Sequence, residues 1–175
     1  SQGLMSGRRE TYELFDLMKK HFPGFRDARM RCVSGMLGIR ETRRLKGDFI
    51  LTINDLVFGK SFEDTIGYSA YGWDLPDPVK PSVQPMNEKK IKVPERTPIP
   101  YRIMLPKGMD NLICAGRIVS VERDVLGPLR VTAPCMAMGE AAGMAAKQVI
   151  ERNISFSKVD IQSLKESLLM NGVLL

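Results

Sequence analysis

Asn111-Leu112-Ile113-Cys114-Ala115-Gly116-Arg117, followed later by Pro134-Cys135-Met136-Ala137-Met138-Gly139-Glu140-Ala141-Ala142-Gly143, is the text that decides how this chain is read. The first is a short apolar run ending at Gly-Arg, the pattern of a buried strand. The second predicts a long helix over 134–152, with proline at its first position, where a missing N–H costs nothing. Cys135, Gly139, Ala142, Gly143 and Ala146 fall on one helical face. Two mid-helix glycines cost roughly 1 kcal/mol each relative to alanine, so this small-residue stripe serves close approach. Two uses are open: packing on the 111–115 strand, or a helix N-terminus facing an anionic or electron-rich ligand. In the second, the 127–132 loop adds backbone donors and the Arg130 guanidinium. Strand, Gly-Arg, loop and small-residue helix is an order found where a cofactor crosses the strand ends of an α/β sheet. A glycine after a strand is also, more simply, a turn.

Working outward, Asp160 caps a last amphipathic helix (Ile161, Leu164, Leu168, Leu169) that stops at Asn171-Gly172. Tyr101 to Leu105 is a strand candidate. Upstream, Pro76, Pro78, Pro81, Pro85, Pro94, Pro98 and Pro100 mark a stiff surface excursion with little helical potential, carrying one short strand at Ile91–Val93. Tyr68, Tyr71 and Trp73 before it suggest a strand or platform. Thr52 or Asn54 caps a short helix ending at Gly59, after extended text from Asp48 to Thr52. A first helix is predicted from Gly7 to Lys20, with Tyr12, Phe15, Met18 and Phe22 at helical spacing and Pro23-Gly24 as its stop. Extended text then runs from Ala28 to Val33. The sequence holds no internal repeat.

The 175 residues carry 26 Lys+Arg against 20 Asp+Glu, net +6, and are 43% hydrophobic, so wholesale disorder is excluded and a core is within reach. Residues 1–60 hold 12 basic and 7 acidic side chains, which makes the basic excess local. No apolar run reaches the ~18 residues of a membrane helix, and no membrane association is expected. Cys32, Cys114 and Cys135 lie far apart without a CxxC pair, which fits a reducing, cytoplasmic setting and no zinc site. His21 is the only histidine. Mechanisms needing two histidines are therefore excluded, no metal site is expected, and His21 reads as a residue complementing a helix C-terminus.

The run Arg40-Glu41-Thr42-Arg43-Arg44 has two readings: salt bridges on a solvated face, or Arg40 and Arg43 clamping a substrate carboxylate. Nucleic acid is not expected, because the aromatics lie in a separate, charge-balanced segment. Cys135 near a helix N-terminus reads as a buried inert thiol or as a reactive one.

Leu37-Gly38-Ile39-Arg40-Glu41-Thr42-Arg43-Arg44 resembles the LGxRETRR segment of a family of bacterial FAD-dependent oxidoreductases. Ile99-Pro100-Tyr101-Arg102, Leu105-Pro106-Lys107-Gly108, Asp110-Asn111-Leu112, Ala115-Gly116-Arg117, Arg130-Val131 and the 135–143 run match in the same order. The resemblance implies an α/β fold, α+β in its N-terminal part: a Rossmann-type FAD-binding domain interrupted by a mixed α/β substrate domain. Residues 1–100 would then be the remainder of the substrate domain and 101–175 the closing strand and helix of the FAD domain. It also implies FAD as cofactor, with Gly116 and Arg117 beside its pyrophosphate or ribityl chain. Leu129, Arg130 and Val131 would lie at the isoalloxazine, and the helix N-terminus would face the pyrimidine edge that gains negative charge on reduction. Arg40 and Arg43 fall on the substrate side. No acid or base is assigned; Arg130 and Arg40 are the candidates for polarising a substrate or stabilising reduced flavin.

The chain departs from the family pattern in one large respect. The strand and GxGxxG loop that hold the pyrophosphate in such flavoproteins have no counterpart here. A smaller departure is Glu140, which stands where glutamine is expected. The reading is therefore the C-terminal portion of a flavoenzyme for a small-molecule substrate, holding half a cofactor site and expected to bind FAD weakly or not at all alone. The other half would come in cis or in trans. The alternative is a stand-alone interaction module that pairs with a separate subunit, or self-associates as a homo-oligomer, over apolar surface around Ile113, Ala142 and Ala146.

Overall fold

The computed structural model describes residues 1–76 and 94–175. These form two compact units, Ser1–Ile39 and Arg40–Leu175. The expected strand at Ile91–Val93 and most of the Pro-rich excursion lie outside the described residues.

The first unit is built on α1 (Gln2–His21), whose last turn carries Lys19, Lys20 and His21 against the negative end of the helix dipole. The helix begins at Gln2, ahead of the expected start at Gly7. Ser6 hydrogen-bonds Glu10 and Arg9 pairs with Glu13 one turn on, so the first turns carry their own support through Gly7. Phe22 adopts an extended conformation and ends the helix before a 3₁₀ turn at Pro23–Phe25. No α1 residue is buried within this unit, although the Leu37 side chain lies against Gly3 and Gly7. Ala28 to Val33 forms no regular element.

The second unit runs α2 (Ile53–Val57), β1 (Thr65–Ser69), β2 (Thr97–Pro100), α3 (Arg123–Leu129), α4 (Thr132–Arg152) and α5 (Ile161–Met170). Its architecture is mixed: helices around a two-stranded antiparallel sheet, with β1 and β2 in the register Tyr68–Pro98 and Ser69–Thr97. One core collects Leu51, Ile66, Ile99, Ile103, Leu126, Met138, Leu164 and Leu168, so residues on both sides of position 100 share it. The caps follow the sequence. Thr52 and Asp55 form a reciprocal capping box on α2, and Asp160 accepts from the Ser163 amide at the head of α5.

Two strand expectations are corrected. Tyr101–Met104 is a 3₁₀ turn, because Tyr101 is drawn inward: its amide donates to the Asp64 carbonyl at 2.8 Å and its hydroxyl to the Phe156 carbonyl at 3.0 Å. Burial pushes the Tyr101 phenol well up. Residues 111–115 form no strand; the Cys114 amide donates to the Met104 carbonyl, and Leu112 stays 41% exposed. The expected 127–132 loop is also replaced in part, since α3 covers Gly127 to Leu129.

Extended text before α2 is tied in by single bonds. Leu51 bridges Val121 in parallel, and the Gly47 amide donates to Ser120 Oγ, which itself donates to the Phe49 carbonyl. A Cβ on Gly47 would lie 2.9 Å from the Leu105 carbonyl oxygen and 3.1 Å from that of Phe49. A Cβ on Gly139 would meet nothing within 4 Å. Gly47→Ala is therefore expected to destabilise the protein by about 1–3 kcal/mol. Gly139→Ala should stabilise it by about 0.5–1 kcal/mol through helix propensity. Urea unfolding of both variants checks the contrast.

Candidate functional site

The functional geometry gathers at the N-terminus of α4. Val131 is the N-cap, in an extended conformation with no side-chain cap. The amides of Thr132 and Ala133 have no acceptor among the described residues, and Pro134 has none to offer. Uncapped donors at the positive end of a 21-residue helix suit an electron-rich group. Beside them opens a cavity of about 460 Å³, walled by Tyr68 and Tyr71 on one side and by Val131, Ala133, Pro134 and Ala137 on the other. That volume falls in the range of sites that hold a small organic molecule. A second cavity, walled by Phe49, Arg102 and Asp110, shares no residue with it.

Three ties set the distance between the two walls. Ser69 Oγ donates to the Pro128 carbonyl at 2.7 Å, using one of the carbonyls that the end of α3 leaves unpaired. The Tyr71 amide donates back to the same Oγ. Leu75 packs against Gly127, where an added Cβ would stand 3.4 Å from the leucine Cβ. Beneath lies an ionic cluster. The Arg130 side chain is 5% exposed; its Nη2 donates to the Asp74 carbonyl at 2.9 Å and its Nη1 stands 3.6 Å from Glu41 Oε2. Arg123 Nη2 bonds the other Glu41 oxygen at 3.0 Å and the Pro76 carbonyl at 3.1 Å. Burial lowers the Arg130 pKa, with the charge of Arg40 adding to the effect.

Gly116 sits at φ +86°, a conformation that favours glycine, and packs against Cys135 of α4. Arg117 Nε donates to the Arg130 carbonyl at 3.1 Å. Gly116, Arg117, Arg130 and Val131, picked out separately in the sequence, thus meet around one helix end. Leu129 is fully buried beneath it. Arg40 pairs with Asp74 at 3.5 Å. Arg43 is exposed and makes no ion pair among the described residues. Glu41 bridges to Arg123 and Arg130, not to its neighbours in the run. The aromatics at 68–73 stand out in the sequence, but their link to α4 does not. That link is made by Ser69 and Asp74 across long separations and leaves no local pattern.

A family model described as FAD dependent oxidoreductase matches residues 1–168. The chain belongs to this family. No curated protein and no solved structure matches it. The residues at the head of α4 fit the ring end of the family's cofactor: two free amides, apolar walls and a glycine turn where a side chain would be strained. They do not supply a GxGxxG cradle, which occurs nowhere in the sequence. Among the described residues no group of three or more His, Cys, Asp or Glu could hold a metal ion, and no helix is long and apolar enough to cross a membrane.

Two expectations follow. Arg130→Met leaves Glu41 with Arg123 alone and takes the guanidinium from the Asp74 carbonyl, and should cost about 1–3 kcal/mol in denaturant unfolding. Cys135 packs against Gly116, and burial raises its thiol pKa although the Arg117 charge opposes it. In timed alkylation with mass mapping, exposed Cys32 should be modified first. Cys135 should follow only at a pH above that needed by a free thiol.

Proposed function

We propose that this chain forms the ring-binding, substrate-facing part of an FAD-dependent oxidoreductase acting on a small molecule. The observation that carries the reading is the uncapped start of α4, with free amides at Thr132 and Ala133, where Val131 and Ala133 line a ring-sized cavity in a chain of this family. The flavin, when bound, supplies the redox chemistry, and the protein supplies orientation and electrostatics. Thr132 and Ala133 would hold the electron-rich edge of the ring, Val131 would pack on its face, and Gly116 with Arg117 would pass beside the chain leading to the pyrophosphate. Arg130 would act from below as a positioning residue, since its guanidinium is taken up by Asp74 and Glu41. Arg40, held by Asp74, and exposed Arg43 would lie toward the substrate side.

The pyrophosphate cradle would come from a complementary Rossmann-type half, in cis or in trans. Support for this is the half-exposed 111–115 segment, tied at Cys114, and the open small-residue face at Gly139 and Gly143. Unpaired cysteines suit a reducing cytoplasm for such an enzyme.

Gel filtration of the chain with FAD tests the division of the site. No stable co-elution is expected at micromolar concentration, and a strand-GxGxxG-helix polypeptide supplied in trans should restore it with a shifted flavin spectrum. Tight stoichiometric binding by the chain alone would overturn the half-site proposal. Failure of the completed pair to take up flavin would overturn the cofactor assignment.

A further inference from the structure

The cavity walls carry information about what shares the site with a flavin, and this step rests on the reading just given. Among the described residues no charged side chain lines the cavity. The nearest arginine in sequence, Arg130, turns its guanidinium to Glu41 and the Asp74 carbonyl, and Arg40 is held by the Asp74 carboxylate. With the α4 amides given to the flavin edge, a carboxylate or phosphate placed here would lose its water and meet no full countercharge among the described residues, which disfavours it. The polar side-chain groups are phenols. Tyr68 and Tyr71 are each about half exposed, and neither hydroxyl has a partner among the described residues. Ser69 Oγ is committed to the Pro128 carbonyl and the Tyr71 amide. Opposite them, among the described residues, stand Val131, Ala133, Pro134 and Ala137, which present apolar surface without bulk.

We propose that this cavity takes an uncharged, ring-bearing organic substrate, packed against Tyr71 and oriented by hydrogen bonds to the Tyr68 and Tyr71 hydroxyls. The substrate class is thus a neutral alcohol, ketone or phenol and not an organic anion. This departs from the carboxylate clamp that the Arg40–Arg44 run suggests in the sequence. Stacking against a phenol ring and two hydroxyl contacts give orientation without fixed charge. Ser69 and Arg130 hold the aromatic wall in place from behind.

Ligand-observed NMR on the full 175-residue chain, with benzyl alcohol and benzoate as matched probes, tests the proposal. Benzyl alcohol should bind, and benzoate should bind at least about fivefold more weakly. Tyr71→Ala should weaken benzyl alcohol about fivefold or more, with circular dichroism and melting temperature unchanged because the side chain is half exposed. Tyr71→Phe should retain part of the affinity by keeping the ring. Equal or tighter benzoate binding, undetectable benzyl alcohol binding, or unchanged affinity in Tyr71→Ala would each overturn it. Complete displacement of benzyl alcohol by lumiflavin would give the aromatic wall to the flavin and overturn it too. FAD uptake by the completed pair is read separately. Its loss with alcohol-over-benzoate selection intact would sink the cofactor reading alone.

Discussion

A guanidinium cannot shed its charge by deprotonation inside a protein, so a buried one must find partners or unfold its surroundings. Arg130 is that constraint here. Its side chain is almost wholly enclosed, and the groups that satisfy it come from stretches far apart in the chain: Glu41 from the arginine-rich run, and Asp74 from the segment after β1. Arg123 joins through Glu41 and reaches Pro76. The carbonyl of Arg130 itself receives Arg117 from the turn at Gly116. The 41 and 74 segments that meet at the head of α4 therefore share one buried charge. An apolar replacement of similar length would fill the volume but take one tie from each of the 41 and 74 segments, leaving Glu41 to Arg123 and Asp74 to Arg40.

Helices were legible in the sequence because their signals are local. Asp160 and Asn171-Gly172 bracket α5, Thr52 with Asp55 opens α2, and Pro23 closes α1. The head of α4 was legible to within two residues, and the cluster of Gly116, Arg117 and Val131 around it was readable through resemblance. Extended segments were not. Tyr101–Met104 has the apolar composition of a strand, but whether it pairs depends on Asp64 and Phe156, which sequence spacing cannot locate. The helix α3 is hidden because Gly127 and Pro128 are turn residues by local rule. They are tolerated in a short helix whose end is satisfied from outside by Ser69.

The small-residue stripe changes meaning in the same way. α4 buries Pro134, Met138, Ala141, Ala145 and Gln148, a face rotated away from Gly139 and Gly143. Its glycines therefore do not serve packing within this unit, where a methyl group added at either position would meet nothing within 4 Å. Two mid-helix glycines with no contact to justify them are a standing cost in helix propensity. The 111–115 segment, tied at Cys114 and with Leu112 exposed, is a second open surface of this unit. A complementary half that laid a strand along that segment and backbone against those glycines would account for both at once.

Charge points the same way at smaller scale. A net +6 located mainly in the first third invites an anion, and the Arg40–Arg44 run invites a bidentate clamp. Folding divides that run. Glu41 turns inward to Arg123 and Arg130, Arg40 is drawn to Asp74, and Arg43 is left in solvent. What remains at the cavity is the partial positive charge of the α4 terminus, about half an elementary charge, carried by two amides with fixed direction. A full guanidinium at that position would bind any anion strongly before chemistry began. A pair of oriented dipoles favours instead the negative charge that develops at one edge of a bound ring, at little reorganisation cost. By pairing its cations with Glu41 and Asp74 and presenting dipoles and phenols at the cavity, the fold separates the force that holds the wall from the force that acts on the ligand.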